Sequence, residues 1–310
     1  MSKIAFIFPG QGAQVCGMGQ DFYEQTETGK RIFDMASTVL NFSVPELCFE
    51  KNDRLDITEY TQPAMVTASV AMMEVLKERT GIKPFVTAGL SLGEYAAMVA
   101  AGVMSPEDAI KTVRQRGILM QEAVPAGVGA MAAVLAMDAE KIEEVLAPIE
   151  GVQIANYNCP GQIVISGLKE AVDTAAEKLK EAGAKRVLPL NVSGPFHSYL
   201  LKEAGEKLGQ VLDGIAVHKP EIPYVANVTA GYVTDEADVK PLLMKQVSSS
   251  VRWEQSVRAM LSDGVDTFVE IGPGKTLAGF MKKIDLEKKA KAFNIEKLED
   301  IAKLQEELGC

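Results

Sequence analysis

The stretch that decides the fold is residues 84–103, "PFVTAGLSLGEYAAMVAAGV". Its first six residues form a short apolar run ending at Gly89, which is typical of a buried strand, and the residues after Ser91 read as helix. Ser91 therefore lies where a strand turns sharply into a helix, inside the pattern Gly-x-Ser-x-Gly. The pattern alone also fits a small residue in a turn, but this context favours a nucleophile elbow. We predict that Ser91 is a nucleophile.

The surroundings of Ser91 favour the same prediction. The flanking glycines allow a tight turn, and the start of the following helix offers free N–H groups and a positive dipole end that would stabilise an oxyanion. A serine hydroxyl also needs a proton acceptor, and the chain has two histidines. His197 lies in "SGPFHS" before a predicted helix, whereas His218 lies in "VHKPEIP" and is typical of an exposed loop. We predict that His197 is the base.

Working outward, apolar runs and helical patterns alternate along the chain, which predicts an α/β fold with a parallel sheet. Residues 129–190 follow the order β-α-β-β-α-β, the ferredoxin-like arrangement. We therefore predict a small ferredoxin-like subdomain of residues 126–192, inserted into a larger catalytic subdomain of residues 1–125 and 193–310. The cleft between them is the expected functional site. A long helical region is predicted over 235–262.

Composition excludes several classes of protein. The 310 residues carry a net charge of −10, which argues against binding of nucleic acid. We find no signal peptide, and the apolar run 128–137 is too short to cross a membrane, so we expect a cytoplasmic protein. With only two histidines, we expect no metal site. The cysteines form no CxxC pair and are expected to be free thiols in a reducing compartment: Cys16, Cys48, Cys159 and Cys310.

Two glycine-rich loops resemble nucleotide-binding motifs but lack a required glycine. In "FPGQGAQVCGMG" (8–19), Val15 stands where a dinucleotide fingerprint needs glycine, and before "GPGKT" (272–276), Val269 stands where a P-loop needs it. We reject both nucleotide interpretations. The segment "PGQGAQ" instead predicts a backbone that approaches a ligand closely, with Gln11 as a donor.

Seven motifs occur in order along essentially the whole chain. The motifs are "FPGQGAQ" (8–14), "TQPA" (61–64), "GLSLGE" (89–94), "RQRGILMQ" (114–121), "NYNCPGQIVISG" (156–167), "PFHS" (195–198) and "EIGPGKTL" (270–277). Together they resemble the motifs of the malonyl-CoA:acyl carrier protein transacylases of bacterial fatty-acid synthesis. The full set is far more specific than any single motif.

The resemblance implies an α/β-hydrolase-like core with the ferredoxin-like insertion, and a malonyl group passed from malonyl-CoA to acyl carrier protein through a malonyl-serine. No metal or cofactor is implied, and we expect a monomer. The carried-over catalytic positions are Ser91, His197 and the backbone carbonyl of Gln246. The oxyanion donors are the N–H groups of Gln11 and Leu92. The resemblance also implies Arg116 for the malonyl carboxylate and Asn158 near the base. We further predict three substrate-binding positions: Phe196, which precedes the base, as a wall beside the malonyl α-carbon, Met120 and Gln62.

Two positions depart from the common pattern of the family. Leu90 stands where many members have histidine, and Ser250 stands where a proline is frequent.

Two other functions remain open from the residues alone: a serine esterase or thioesterase, and a non-catalytic module that binds carrier protein. Docking of an acidic carrier protein would need a local basic patch, for which the candidates are Lys275, Lys282, Lys283, Lys185 and Arg186.

Overall fold

The computed structural model describes residues 2–309. Cys310, one of the four predicted free thiols, lies outside the described residues, and the other three cysteines are free. The described chain forms ten strands: β1 (Ile4–Phe8), β2 (Val86–Gly89), β3 (Gly129–Leu135), β4 (Val152–Cys159), β5 (Gln162–Leu168), β6 (Arg186–Pro189), β7 (Tyr224–Val225), β8 (Tyr232–Val233), β9 (Thr267–Ile271) and β10 (Lys291–Ile295).

Helices connect and cover these strands. Short 3-10 turns precede three of them, at Arg54–Asp56, Tyr199–Leu201 and Glu236–Asp238. The α-helices of the described residues are α1 (Gln20–Gln25), α2 (Glu27–Leu40), α3 (Val44–Phe49), α4 (Thr58–Thr80), α5 (Gly93–Ala100), α6 (Pro106–Glu122), α7 (Ala139–Leu146), α8 (Lys169–Glu181), α9 (Lys202–Leu212), α10 (Val239–Gln246), α11 (Trp253–Ser262), α12 (Thr276–Ile284) and α13 (Leu298–Leu308).

The larger sheet has six strands in the order β10-β9-β1-β2-β7-β8, all parallel except the β7–β8 hairpin. Its central strand β1 is apolar on both faces. Phe6 and Phe8 pack into the core formed with α4, whereas Ala5 and Ile7 pack into a second core with α11 and α12. Burial on both faces explains why the sequence of this strand is a continuous apolar run. The α/β class predicted from the sequence is confirmed.

The smaller sheet is a separate antiparallel one, in the order β4-β5-β3-β6. Helices α7 and α8 pack on one of its faces through residues such as Ile142 and Leu179. Its other face carries Met131, Ala133 and Val164 toward a cleft that it shares with the larger sheet. The strands and helices predicted over 129–190 are all present.

The long helical region predicted over 235–262 is present but interrupted, since residues 247–252 are not helical. The chain leaves the helical path between α10 and α11, because Val251 pairs with the small sheet instead. Its N–H donates to Ala155 O at 2.8 Å, and its carbonyl accepts from the Tyr157 N–H at 2.9 Å. This break frees the last carbonyls of α10 for other partners. No helix within residues 2–309 is long and apolar enough to cross a membrane.

Candidate active site

Ser91 lies in the sharp turn between β2 and α5, with a φ of 51°. A non-glycine residue in this left-handed region is uncommon and is held there by its surroundings. Both neighbouring glycines are required: a Cβ on Gly89 would overlap the backbone of Gly93, and a Cβ on Gly93 would overlap the carbonyl of Phe8. The sequence thus folds here into the predicted strand-turn-helix elbow, which exposes the serine hydroxyl at the carboxyl edge of the sheet.

A chain of hydrogen bonds leads from this hydroxyl into the protein. Ser91 Oγ lies 2.7 Å from His197 Nε2, and His197 Nδ1 lies 2.8 Å from the backbone oxygen of Gln246. Because a carbonyl can only accept, Nδ1 carries the proton and Nε2 is the free acceptor that faces the serine hydroxyl. The arrangement can therefore take a proton from Ser91. The other histidine, His218, is exposed and does not line the cleft.

The electrostatic surroundings keep His197 neutral. Burial, reinforced by the positive charge of Arg116, lowers the pKa of His197 from 6.5 to about 4, although its backbone hydrogen bonds oppose the shift. A base must be unprotonated before the reaction, and this pKa leaves His197 almost fully neutral at pH 7.

The pKa of His197 makes a prediction for the pH dependence of any acylation of Ser91. Since the neutral form dominates above the pKa, the rate should stay near its plateau from pH 7 down to about 5. It should then fall about tenfold per pH unit below 4. The rate of acylation in a single turnover, followed by stopped flow after a pH jump, measures this dependence. A midpoint near 6.5 would contradict the assignment of a buried, shifted base.

Arg116 is fully buried, with a side chain that points at the elbow. Its NH2 group donates to Ser91 Oγ at 3.2 Å and to Gln246 Oε1 at 3.0 Å, and its NH1 group donates to Gln62 Oε1 at 2.9 Å. Its Nε has no partner within residues 2–309. Arg114, two residues earlier, faces elsewhere and forms a 2.6 Å ion pair with Glu59. The cleft therefore holds one buried guanidinium within reach of an acyl group on Ser91.

Gln62 and Gln246 position this guanidinium. Gln62 does not line the cleft: its oxygen holds Arg116, and its Nε2 lies 3.7 Å from Met120 Sδ. The Gln246 side chain is fixed at both ends, because its Nε2 donates to Ser91 O at 3.0 Å and to Glu94 Oε2 at 2.7 Å while its oxygen accepts from Arg116. Gln246 thus serves the site twice, through its backbone and through its side chain.

Sequence reasoning missed two residues behind the elbow. Glu94 is fully buried, and burial raises its pKa to about 7 against hydrogen bonds and the charge of Arg116 that act to lower it. Asn227 accepts the Ser91 N–H at 2.6 Å and donates to Gly89 O at 2.7 Å. A signal for Asn227 was available, since it follows β7, the neighbour of β2, and polar residues at the carboxyl ends of adjacent parallel strands meet.

A cleft of about 810 Å³ opens in front of Ser91 between the two sheets. It contains eight of the predicted site residues: Ser91, His197, Gln11, Leu92, Arg116, Phe196, Asn158 and Met120. Gln11 and Leu92 follow the adjacent parallel strands β1 and β2, and their N–H groups donate to no acceptor in the described part of the chain. Two unpaired N–H groups at this edge can receive a developing oxyanion.

The small sheet supplies the polar wall of the cleft. Asn158 is buried, and its Oδ1 has no partner among the described residues, so it is available to a ligand.

At the first departure from the family pattern, Leu90 packs against the second core. At the other, Ser250 Oγ donates to Ile154 O at 2.6 Å and ties the loop after Gln246 to β4. Residues 2–309 contain no group of three or more side chains arranged to hold a metal ion.

Comparison with known proteins places this chain in a family. The family described as acyl transferase domain matches residues 5–304. The malonyl CoA-acyl carrier protein transacylase of Bacillus subtilis is 52% identical over 290 residues, which cover 92% of this chain and 91% of that protein.

Solved structures of malonyl transacylases have the same fold as this chain. The malonyl CoA-acyl carrier protein transacylase of Clostridium perfringens superposes with a TM-score of 0.95 at 41% identity, covering 99% of this chain and 98% of that one. A malonyl-transacylase in complex with a type II PKS acyl-carrier protein also gives 0.95, at 39% identity, covering 99% and 100%. The chain therefore belongs to the acyl transferase domain family and, within it, to the malonyl CoA-acyl carrier protein transacylases.

Proposed function

We propose that this protein moves the malonyl group of malonyl-CoA to the phosphopantetheine thiol of acyl carrier protein, with Ser91 as the carrier of the acyl group. The observation that carries this proposal is the buried guanidinium of Arg116, 3.2 Å from a serine hydroxyl that is itself 2.7 Å from a neutral histidine. A nucleophile and a site for a carboxylate occupy the same end of one cleft. The names of the relatives support the same transfer.

The first half of the reaction acylates the enzyme. His197 Nε2 takes the proton of Ser91 Oγ as this oxygen attacks the thioester carbonyl. The tetrahedral oxyanion is held by the N–H groups of Gln11 and Leu92, each worth about 3 kcal/mol in the transition state. The carbon–sulfur bond then breaks, and His197 returns the proton to the sulfur of coenzyme A. Gln246 O stabilises the imidazolium that forms between these steps.

The second half repeats these steps with a new nucleophile. The thiol of the phosphopantetheine arm gives its proton to His197 and attacks the ester carbonyl of malonyl-Ser91. When the new thioester forms, the Ser91 oxygen leaves and regains the proton from His197. During both halves Arg116 pairs with the distal carboxylate of the malonyl group and exchanges its bond to Ser91 Oγ for one to that carboxylate. A guanidinium suits this task because it binds a carboxylate through two parallel hydrogen bonds.

For the architecture, we propose an α/β-hydrolase-like catalytic subdomain of residues 1–125 and 193–310 and a ferredoxin-like subdomain of residues 126–192. The strand order β4-β5-β3-β6, with α7 and α8 on one face, supports the ferredoxin-like assignment. The elbow at the carboxyl edge of a mostly parallel sheet supports the α/β-hydrolase-like assignment. We further propose a cytoplasmic monomer that binds no nucleic acid, in line with its net charge of −10.

For the carrier protein, we propose docking beside α12. This helix contributes Leu277 and Phe280 to the cleft lining, while Lys275, Lys282 and Lys283 are exposed on or beside it. Positive charges at the cleft mouth would attract an acidic partner despite the acidic net charge of the enzyme. Lys185 and Arg186 are also exposed but lie on the small sheet.

The experiment that tests the function compares two fates of the malonyl group. The wild-type protein is incubated with malonyl-CoA and holo acyl carrier protein, and malonyl-carrier and free malonate are both followed with time. Transfer should outrun hydrolysis. Faster release of free malonate would assign a thioesterase instead, and absence of an acylated enzyme would indicate a non-catalytic binding module.

Phe196 makes a prediction about substrate choice. Its ring lines the cleft directly before the base, so we expect it to reject an α-methyl group at a cost of about 1–3 kcal/mol. The ratio of kcat/KM for malonyl-CoA to that for methylmalonyl-CoA should therefore lie between roughly 5 and 150, and Phe196→Ser should reduce it. Phe280→Ser, which removes a ring from α12 in the same cleft, should leave the ratio unchanged. Equal use of both thioesters by the wild type would place the wall elsewhere.

A further inference from the structure

The backbone at His197 is held in an unusual conformation. Its φ is 57°, in the left-handed region that non-glycine residues rarely adopt, and the residue lies in a loop between β6 and the 3-10 turn before α9. Such a conformation persists only where surrounding contacts fix it. The direction of the imidazole depends on this backbone, so whatever fixes the loop also fixes the distance from Nε2 to Ser91 Oγ.

Gln153, on strand β4 of the small sheet, contacts this loop at the histidine and two residues after it. Its Nε2 donates to His197 O at 3.0 Å, and its Oε1 accepts from the Tyr199 N–H at 3.0 Å. Both partners are backbone groups, of which one can only accept and the other can only donate. The amide therefore has a single orientation that satisfies both bonds.

Strand β4 also contacts the loop that follows Gln246, the residue whose carbonyl accepts the hydrogen bond from His197 Nδ1. Beyond its contact with His197, Gln153 Nε2 lies 3.5 Å from Ser248 O, in the loop that follows Gln246. The next residues of β4 anchor this loop further, through the bonds of Ile154 O to Ser250 and of Ala155 O to the Val251 N–H. One strand of the small sheet thus fixes both the base and the residue whose carbonyl orients it.

We propose that Gln153 is a positioning residue for catalysis. It acts through the backbone of His197 and keeps the imidazole aimed at Ser91, and it does not touch the reacting atoms. This inference rests on the proposed acyl transfer through Ser91. Because Gln153 belongs to the small sheet, it also gives that sheet a role in the chemistry beyond lining the cleft.

The test uses two variants of similar side-chain length in the full-length enzyme. Gln153→Met removes both hydrogen bonds, and Gln153→Glu keeps an acceptor for Tyr199 but presents a carboxylate to His197 O. The rate of malonyl-Ser91 formation is measured in single turnovers, together with the Kd of malonyl-CoA and the melting temperature. Since misplacement of a catalytic group by about 1 Å can cost about 100-fold in rate, we expect acylation to slow by about 10- to 100-fold in both variants. The Kd should stay within about twofold.

Gln210→Leu, on an exposed position of α9, is the control and should leave every value unchanged. Acylation at the wild-type rate in both Gln153 variants would overturn the inference. A slower rate with a parallel rise in Kd and loss of thermal stability would also overturn it, in favour of general support of the fold. Failure of the wild-type enzyme to form malonyl-Ser91 would instead reject the proposed function itself, so the two failures are distinct.

Discussion

Replacement of Ser91 by alanine should abolish the malonyl-enzyme adduct that survives an acid quench. The hydroxyl lies between the base and the buried guanidinium, 2.7 Å from His197 Nε2 and 3.2 Å from Arg116 NH2. Without it, neither half of the transfer has an acyl carrier, and loss of a serine nucleophile lowers kcat on the order of 10⁶-fold. Intact-mass measurement after incubation with malonyl-CoA, followed by peptide mapping, checks both the adduct and its position.

The matched control is Ser193→Ala. Ser193 also lines the cleft, but its hydroxyl bonds to Thr58 Oγ1 at 2.8 Å. This variant should therefore form the adduct like the wild type. A malonyl group that persists in Ser91→Ala and maps to another residue would show that the elbow serine is not the nucleophile.

The elbow could be predicted from the sequence because its determinants are local. A continuous apolar run, two glycines and a helical stretch lie within one segment of twenty residues, and each has a direct conformational consequence. The direction of Arg116 was likewise accessible, since Arg114 and Arg116 cannot point the same way on one helix. The structure separates them as expected, with Arg114 paired to Glu59 and Arg116 directed at Ser91.

The support behind the elbow could not be predicted in the same way, because it joins distant parts of the chain. Asn227 is 136 positions from Ser91, and Gln246 is 152 positions from Glu94. Glu94 and the Gln246 side chain have no distinguishing local pattern, and the position of Asn227 after a strand becomes informative only once that strand is placed next to β2. Their roles exist only after β7 is placed beside β2 and after α10 ends at the cleft. Hydrogen bonds of this kind depend on tertiary structure and leave no periodic signal.

Two elements near the C-terminus, β10 and α13, were not predicted. Strand β10 is at the edge of the sheet, and most of its residues are exposed or half-buried, with only Ile295 fully buried. A strand at the edge of a sheet need not be buried on both faces, so β10 lacks the continuous apolar run that is typical of β1. The break between α10 and α11 was missed for a related reason, because pairing of Val251 with the small sheet outweighs the local helical pattern.

Replacement of Arg116 by alanine should remove the preference for malonyl over acetyl thioesters. An acyl group that ends in a carboxylate brings a full charge into a buried cleft, and desolvation of that charge is costly unless it is paired. Truncation of one partner of a buried ion pair costs about 3–5 kcal/mol, which corresponds to a loss of roughly 10²- to 10⁴-fold in kcat/KM for malonyl-CoA. Activity on acetyl-CoA, which carries no carboxylate, should be unchanged or improved.

Two further variants separate charge from geometry. Arg116→Lys keeps the charge, but an ammonium cannot reproduce the planar fork that contacts Gln62, Gln246 and Ser91, so little malonyl activity should return. Arg114→Ala is the control and should leave the malonyl-to-acetyl ratio of kcat/KM unchanged.

The structure also gives a reason why the acetyl reaction is the necessary comparison. Arg116 lies beside the buried Glu94, where burial raises the pKa of the carboxyl and the charge of Arg116 opposes that rise, and Gln246 bonds to both residues. The acetyl reaction therefore tests whether removal of the guanidinium affects only the site for the carboxylate or also the hydrogen bonds behind the elbow. Damage to the elbow would slow both thioesters equally, because each needs Ser91 and His197. A parallel fall for malonyl-CoA and acetyl-CoA would mean that Arg116 supports the elbow, whereas a selective fall for malonyl-CoA assigns it the carboxylate.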